Sequence, residues 1–374
     1  MNTFRPACRL LTLYGCLSSI SFVFAEAIPG GPETTLDSIW ASTAHVQAIT
    51  DTCATQITKE RFQDPNTSRI WLNSLSSFGD ARVRNNQPAF DYSATGYAVG
   101  YDYSKNGSIL GLSLGQVFGH QKIKAMPDHP DGPILGDRFK QDTFMASLYG
   151  GLCRQTGPNS DLILAMNIGF GSTRNKCSHS DPHPEKNKWD TTTASTSLSA
   201  AWRCQVTSSF SVTPFIGLNY VHADNERKRD NGNTCNGDGY WDDDGDWVDT
   251  DCRTRMDNLG KFDSLSLEAG ITLEHMIHFR NGYTWTNSLS GSFCPDVLRN
   301  DPHHTFVDGW WEDGNYYEDH YRGKGYSPSR QAFKARFTSR FTTGSQSSVY
   351  ASYQAVFRDA YTAHQIALGF SHSF

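Results

Sequence analysis

The stretch FDYSATGYAVGYDYSKNGSILGLSLGQVFG, residues 90–119, contains two runs of alternating residues separated by Lys-Asn-Gly at 105–107. In the second run, Leu110, Leu112 and Leu114 alternate with glycine and serine. Side chains of a β-strand point to opposite faces in turn, so this pattern predicts a strand with one apolar face. A tight turn containing Asn-Gly between two such runs is typical of a β-hairpin. The stretch therefore predicts an antiparallel hairpin.

The same period of two continues from Arg69 to Phe374 in twelve segments. We expect strands near 69–83, 90–104, 108–122, 138–154, 161–174, 188–206, 210–222, 262–279, 283–297, 330–342, 349–358 and 361–374. Each predicted strand has ten or more residues, more than the usual five or six. That length is enough to cross a bilayer when the strand is tilted.

The connections between these segments alternate in length. Tight turns are expected at 105–107, 156–160, 207–209, 280–282 and 343–347, and long polar connections at 124–137, 177–187, 224–261 and 299–329. Residues 84–89 and the last connection are short exceptions to this alternation. Short turns on one rim and long loops on the other are typical of an outer-membrane barrel. We therefore predict an all-β fold: a transmembrane, antiparallel, up-and-down barrel of twelve strands.

A soluble β-sandwich would also alternate, but it would not place charged residues repeatedly on an inner face. Strand parity places these charged residues in the predicted lumen: Arg203, Glu268, Glu274, Lys334, Arg336, Arg340 and Arg358. Such charges can set the selectivity of a pore or can pair with one another and with a helix inside it. Aromatic residues near strand ends are expected to form girdles at the membrane interfaces: Trp71, Tyr101, Trp202, Tyr283, Trp285 and Phe370.

Composition narrows the classes of function. A formal net charge of −6 gives no basic footprint, so we expect no nucleic-acid partner. The mean hydropathy of −0.53 excludes a helical membrane protein but is compatible with membrane-spanning strands. The sequence contains no P-loop or HExxH motif, so we do not expect an enzyme. A hydrolase with Asp or His at the barrel rim is a distant alternative.

The amino terminus has the features of a secretory signal peptide, predicted over residues 1–27. Two arginines precede the apolar run from Leu10 to Phe24, and Ala25-Glu26-Ala27 is a small-x-small cleavage signal. Residues 28–60 are expected to form a short linker and a helix, because Thr34 to Ile57 is the one good helical stretch. Residues 61–374 would then form the barrel.

Aspartates are concentrated in loop 224–261, and Cys235 and Cys252 bracket them. The candidate ligands for a calcium ion are Asp242, Asp244, Asp246, Asp249 and Asp251. Calcium takes six to eight oxygen ligands, which dense Asp and Gly can supply. The alternative is an acidic, solvated loop joined by a Cys235–Cys252 disulfide. Apart from this candidate calcium ion, we expect no cofactor.

Loop 299–329 combines aromatic residues with carboxylates. Trp310, Trp311, Tyr316 and Tyr317 stand among Glu and Asp residues in this loop. Ring faces with neighbouring carboxylates can hold sugar rings or basic side chains, so this loop is a candidate site for an extracellular ligand. The alternative is that the aromatic residues pack the loops together over the barrel mouth.

The strand patterns resemble those of an autotransporter β-domain, the translocator of type V secretion. The resemblance rests on Trp71, on Gly96-Tyr97 and Gly100-Tyr101-Asp102, and on the glycines from Gly111 to Gly119. It covers roughly Thr34 to Phe374. It implies that the helix lies inside the barrel and that the chain is a bacterial outer-membrane protein in contact with lipid, its long loops extracellular. It also implies that a passenger preceding the helix is carried through the pore.

The final strand, QIALGFSHSF at residues 365–374, is expected to close the barrel against the first strand. Its apolar positions are Ile366, Leu368, Phe370 and Phe374, with His372 interrupting the series. This pattern resembles the carboxy-terminal signal that outer-membrane barrels present to their assembly machinery. That machinery is therefore an expected partner.

Only about ten residues separate the predicted cleavage site from the helix, so we expect no folded passenger. The leading interpretation is then a barrel that presents long acidic and aromatic loops for surface binding or adhesion. The alternatives are a gated, porin-like pore and a translocator of a very short or separate passenger.

Overall fold

The computed structural model describes most of the barrel and the helix inside it. The described residues are 33–58, 61–62, 66–84, 88–124, 138–178, 186–226, 240–241, 247–248, 255–258, 260–312, 315–344 and 346–374. The predicted signal peptide lies outside these ranges. Helix α1 spans Glu33–Ala54 and is slightly shorter than predicted. It is not long and apolar enough to cross a membrane.

Twelve long strands follow the helix and confirm the predicted strand order. They are β1 (Thr67–Ala81), β2 (Phe90–Lys105), β3 (Ser108–Ile123), β4 (Arg138–Gly157), β5 (Ser160–Ser178), β6 (Lys186–Gln205), β7 (Phe210–Glu226), β8 (Lys261–His278), β9 (Thr284–Phe293), β10 (Ala332–Thr343), β11 (Ser347–Arg358) and β12 (Tyr361–Ser373). Asn106 and Gly107 both have positive φ, as the tight type I′ turn between β2 and β3 requires.

Each strand pairs antiparallel with its neighbours in the chain, and β12 pairs with β1 to close the ring. The seam between β12 and β1 is in register, with Ile70 opposite His372. It extends to the last residue, because the Phe374 amide donates to the Ser68 carbonyl at 2.9 Å. The prediction that the final strand closes the barrel is confirmed.

Strand β9 is shorter than predicted, because it stops at Phe293 before the Cys294-Pro295 pair. Proline cannot donate a ladder hydrogen bond, so the pairing is interrupted there. The Pro295 carbonyl still accepts from the Leu267 amide at 3.0 Å. Pairing with β8 resumes over Asp296–Asn300.

The apolar residues face outward and the polar residues face the lumen, which is the reverse of a soluble sandwich. On β3, Leu110 and Leu112 are 62% and 53% exposed, whereas Ser113, which follows Leu112, is 1% exposed. Tyr101, Trp202, Tyr283, Trp285 and Phe370 lie on the outer face, as predicted for girdle residues.

Trp71 is the exception, and the girdle prediction for it was wrong. Its side chain is fully buried in the lumen, where its ring lies against Gly100. Ile70, Trp71 and Leu72 are all apolar, so strand parity alone gives no reason to choose which of them faces inward. The ring fits inside because Gly100 has no side chain to collide with it.

Helix α1 lies in the lumen, as predicted, and it packs off-centre. Its backbone packs along β1 to β7 and along the loop strands His303–Glu312 and Asn315–Lys324. The stripe Ala44, Gln47, Asp51 and Ala54, at helical spacing, is not buried against them. Beside this stripe there remains a cavity of about 110 Å³, lined mainly by β6, β7, β8 and β10 to β12.

Candidate functional site

An apolar cluster surrounds the amino-terminal part of α1 at the rim that carries the long loops, which we call the long-loop rim. Its strand residues all lie at the ends of strands on that rim, and we call the cluster the mouth ring. The members are Ile39, Trp40, Ala81, Phe90, Tyr92, Ile123, Phe139, Cys177, Trp189, Ala223, Phe262, Tyr326 and Tyr361. The ring packs around the helix, so the barrel mouth is closed by apolar contacts.

Tyr326 connects the loop before β10 to both the helix and the barrel seam. Its side chain is fully buried, and its hydroxyl lies 2.7 Å from the Ala360 carbonyl and 3.0 Å from the Arg82 carbonyl. The indole of Trp40 donates to the Tyr326 carbonyl at 2.6 Å. One residue therefore holds the loop, α1 and the β1–β12 seam together.

Arg299 also binds the segment that contains Tyr326. Its guanidinium pairs with Asp296 at 3.0 Å and donates to Ser327 at 2.8 Å. It also lies over the Trp40 ring, 5.8 Å from the centroid, at the distance of a cation–π contact. The segment that follows the long loop is thus tied into the mouth.

Above the mouth, residues from two long loops share one three-stranded sheet. Arg255–Asn258 pairs with His303–Glu312, which pairs in turn with Asn315–Lys324. Loop 299–329 was predicted only as a long polar connection, and in the structure its aromatic and acidic residues lie on the two strands of a hairpin. In the hairpin register, Trp310 stands opposite Tyr317 and Trp311 opposite Tyr316, so the backbone brings these four predicted residues together.

The predicted calcium ligands and both cysteines of the predicted disulfide lie outside the described residues. Short strands Tyr240–Trp241 and Trp247–Val248 pair on either side of the segment that begins at Asp242. Within the described ranges, no group of three His, Cys, Asp or Glu residues is placed to hold a metal ion. The calcium site and the Cys235–Cys252 disulfide stay predictions.

The lumen charges on β6, β8 and β10 face one another in pairs. Lys334 lies 2.9 Å from Glu268, whose carboxylate also accepts from Ser292 at 2.7 Å. Arg203 lies 3.0 Å from Glu274. These pairs lie on the inner wall beside the helix.

Two further arginines of β10 contact the helix itself. Arg336 lies 3.2 Å from Asp51 on the open stripe of α1. Arg340 donates to the Thr55 carbonyl at 2.7 Å, just beyond the last helical residue, and lies over the Tyr350 ring. A cation at this end also interacts favourably with the helix dipole. The charges thus pair with one another and with the helix.

Sequence reasoning missed the most deeply buried charged cluster, at the other end of the helix. Asp102 is fully buried and accepts from Arg61 at 2.8 Å, from Arg69 at 2.6 Å and from Tyr149 at 2.8 Å. Arg69 also donates to the Gln56 carbonyl at 2.8 Å. The available signal was parity, because Arg69 and Asp102 occupy directly paired, inward positions on β1 and β2.

The predicted assembly-signal residues lie on the outer face of β12. Ile366, Leu368, Phe370 and Phe374 are all exposed there. His372 shares their face and lies 2.9 Å from the Ser347 hydroxyl. Their recognition by assembly machinery stays a prediction.

Comparison with known proteins identifies the architecture. The family model "Autotransporter beta-domain" matches residues 70–246. Among solved structures, the chain is similar to the translocator domain of the autotransporter NalP from Neisseria meningitidis, with 11% identity, a TM-score of 0.56, and coverage of 91% of this chain and 99% of that one. The transport unit of AIDA-I from Escherichia coli shows 12% identity and a TM-score of 0.57, over 82% of this chain and 90% of that chain.

The β-domain of the Bordetella autotransporter BrkA shows 14% identity and a TM-score of 0.52, over 82% of this chain and 100% of that chain. No curated protein matches the sequence. At these identities the structures demonstrate the shared fold, and the family model adds the sequence relationship. Residues 70–246 therefore match the autotransporter β-domain family, and the barrel as a whole has the fold of the translocator barrels of type V secretion in the bacterial outer membrane.

Proposed function

We propose that this barrel displays a binding platform on the cell surface, built from its long extracellular loops. The observation that carries the proposal is the three-stranded loop sheet, in which Arg255–Asn258 pairs with the hairpin His303–Lys324 of a different loop. Pairing between separate loops limits their independent motion. Pre-organisation of this kind lowers the entropic cost of binding a ligand.

The chemistry of the platform favours sugars or basic groups as ligands. Trp310 and Trp311 stand opposite Tyr317 and Tyr316 near the tip of the hairpin, and Glu312 ends the first strand beside them. Aromatic faces provide apolar contact, and carboxylates accept hydrogen bonds from hydroxyl or ammonium donors. A hairpin tip of this composition suits a ligand that has both an apolar face and hydroxyl or ammonium donors.

The closed mouth supports a platform in preference to an open channel. The mouth ring surrounds Ile39 and Trp40, and Tyr326 ties the loop to the barrel seam. The cavity of about 110 Å³ beside α1 suits a few water molecules. Conduction would therefore need the helix to be displaced.

Adhesion of whole cells tests the proposal. Cells that produce the barrel are compared with empty cells on wells coated with defined oligosaccharides, with polylysine, or left bare. The test variant is Trp310→Ala/Trp311→Ala, and the matched control is Trp202→Ala/Trp285→Ala, which removes two tryptophans from the membrane-facing surface. We expect at least about a tenfold loss of adhesion in the test variant alone, since buried aromatic anchors dominate binding energies.

Two results would refute the platform. One is that cells with the unaltered barrel adhere no better than empty cells on every coating. The other is that the test variant and the control variant adhere equally well.

A second candidate is export of the chain segment that precedes α1. The observation that favours it is the direction of the helix, which begins near the long-loop rim and ends beside Arg340 and Arg69 near the opposite rim. A segment attached to its first residue, Glu33, would then emerge outside the cell. An epitope inserted after residue 30 should be labelled by antibody on intact cells, and labelling only after the outer membrane is permeabilised would argue against export.

A further inference from the structure

A row of basic residues crosses the outer surface of four neighbouring strands, β3 to β6, near the extracellular rim. His120 pairs in register with Lys140, Lys140 with Lys176, and Lys176 with Lys188. All four side chains are exposed. Neighbouring strands lie about 4.8 Å apart, so the row spans about 14 Å. We call these four residues the basic row.

Further cations flank the row on the same outer face. Lys122 and Arg138 form a directly opposed pair one step closer to the loops, and Arg174 lies one step closer to the membrane. The carboxylates on this face of β3 to β6 are Asp142 and Asp190, and Asp91 of β2 lies directly opposite Lys122. Six formal cations, not counting His120, therefore face three acids, in a chain whose net charge is −6.

The basic row stands at the edge of the apolar belt. On β3 the belt runs along the same face through Leu110, Leu112 and Leu114 to Phe118, which is 44% exposed. His120 follows Phe118 by two residues, about 7 Å along the strand. The row therefore lies at the depth where lipid acyl chains end and headgroups begin.

The row also differs from three other cations of this rim, each of which has an acidic partner. The ion pairs there are Lys124–Asp91 at 2.8 Å, Lys261–Asp224 at 3.0 Å and Arg84–Asp359 at 2.8 Å. Among the described residues, Lys140, Lys176 and Lys188 take part in no such pair. Like charges directly opposite each other on a sheet repel, and an anion bound from outside would relieve that repulsion.

We propose that the basic row is a binding site for the phosphate groups of a phosphorylated glycolipid in the outer leaflet of the outer membrane. Lysine ammonium groups bind phosphate as point charges. The acyl chains of the same lipid lie on the belt formed by Leu110 to Phe118 and its neighbours on β4 and β5. The site depends on the fold and its orientation in the membrane, not on the loop platform.

Lipid titration against the purified, detergent-solubilised full-length barrel tests the site. The probe is bisphosphorylated lipid A, and its bound fraction is read by native mass spectrometry. The comparison lipid is the same glycolipid after enzymatic removal of both phosphates. Inorganic phosphate, added at the same phosphate concentration, serves as a competitor.

The test variant is Lys140→Gln/Lys176→Gln/Lys188→Gln, and Arg at the same three positions is the charge-retaining variant. The matched control removes three exposed cations at the opposite rim, as Lys105→Gln/Arg154→Gln/Arg280→Gln. Each lysine near an anionic lipid surface contributes roughly fivefold to affinity, so the test variant should bind lipid A about a hundredfold more weakly. The single change Lys176→Gln should weaken binding roughly fivefold, so the proposal stays testable if the triple variant misfolds.

We expect the test variant to lose lipid A binding and the Arg and control variants to keep it. The phosphate-free glycolipid should bind weakly to the unaltered barrel. Binding should also weaken with rising salt, because exposed charges are screened. The proposal is overturned if the Gln variants bind lipid A as tightly as the unaltered barrel. It is also overturned if the control variant loses as much lipid A affinity as the test variant. The same holds if the phosphate-free glycolipid binds as well as lipid A, or if inorganic phosphate displaces lipid A.

Discussion

Substitution of Asp102 by alanine should destabilise the barrel more than removal of any surface carboxylate. Asp102 is fully buried and accepts hydrogen bonds from Arg61, Arg69 and Tyr149. Through Arg69, which also binds the Gln56 carbonyl, it ties the end of the helical segment to the barrel wall. Its loss leaves two buried guanidinium groups without their carboxylate.

The expected magnitude follows from burial. The side chains of Arg61 and Arg69 are 4% and 2% exposed, so water cannot replace the missing partner. Breaking a buried ion pair by removing one partner costs about 3–5 kcal/mol. The control is Asp359→Ala, which breaks the Arg84–Asp359 pair, where the aspartate is 80% exposed. Exposed pairs contribute about 0–1 kcal/mol, so the control should be nearly silent.

Urea unfolding in detergent micelles, followed by tryptophan fluorescence, measures both variants. We expect Asp102→Ala to lower the free energy of unfolding by about 3–5 kcal/mol and Asp359→Ala by less than about 1 kcal/mol. Trypsin should also cut after Arg61 more readily in the Asp102 variant. If Asp102→Ala unfolds at the same urea concentration as Asp359→Ala, the cluster does not stabilise the barrel and the reasoning fails.

Three further predictions follow from the lumen. Deletion of residues 34–57 should raise single-channel conductance in planar bilayers, because α1 occupies the lumen, and unchanged conductance would contradict a helical plug. Tyr326→Phe removes the hydroxyl that hydrogen-bonds at the seam and should lower the free energy of unfolding in urea by about 1 kcal/mol. An unchanged free energy of unfolding would show that this hydrogen bond does not stabilise the barrel. Gly100→Ala places a methyl group against the Trp71 ring and should lower the free energy of unfolding by about 1–3 kcal/mol. Gly291→Ala, where the added methyl group meets open space, should leave it unchanged. Equal effects of the two variants would argue against close packing at Trp71.

The strand order could be predicted from the sequence because it depends on local periodicity. The alternation in residues 90–119 and the Asn106-Gly107 turn are visible without any partner strand. The closure of β12 against β1 followed from the strand count. The helix itself was predicted from the helical spacing of apolar residues in 34–57, and its place in the lumen from the family resemblance.

The contacts of the lumen could not be predicted in the same way, because they join residues far apart in the chain. Trp40 and Tyr326 are separated by 286 positions, and no local pattern marks Tyr326 among the other tyrosines. Parity places Lys334 and Glu268 inside, but their pairing depends on which inward residues the curved wall brings opposite each other. Trp71 shows the limit of parity where consecutive residues are all apolar.

For the loops, the sequence predicted the candidate residues but not their arrangement. Their composition identified Trp310 and Tyr317 as candidate binding residues, but not that they stand opposite each other in a hairpin. The basic row escaped notice because its four residues are spread over four strands. Lys140, Lys176 and Lys188 become neighbours only through the register of β4 to β6.

The orientation of the barrel is the central claim, and epitope insertion on intact cells tests it most directly. One epitope is placed in the hairpin tip at residues 313–314, and a second, in a separate variant, in the turn at 280–282. We predict that antibody labels the first variant on intact cells and the second only after the outer membrane is permeabilised. Labelling of the 280–282 variant on intact cells, or recovery of either protein in the soluble periplasmic fraction, would contradict an outer-membrane barrel with its long loops outside.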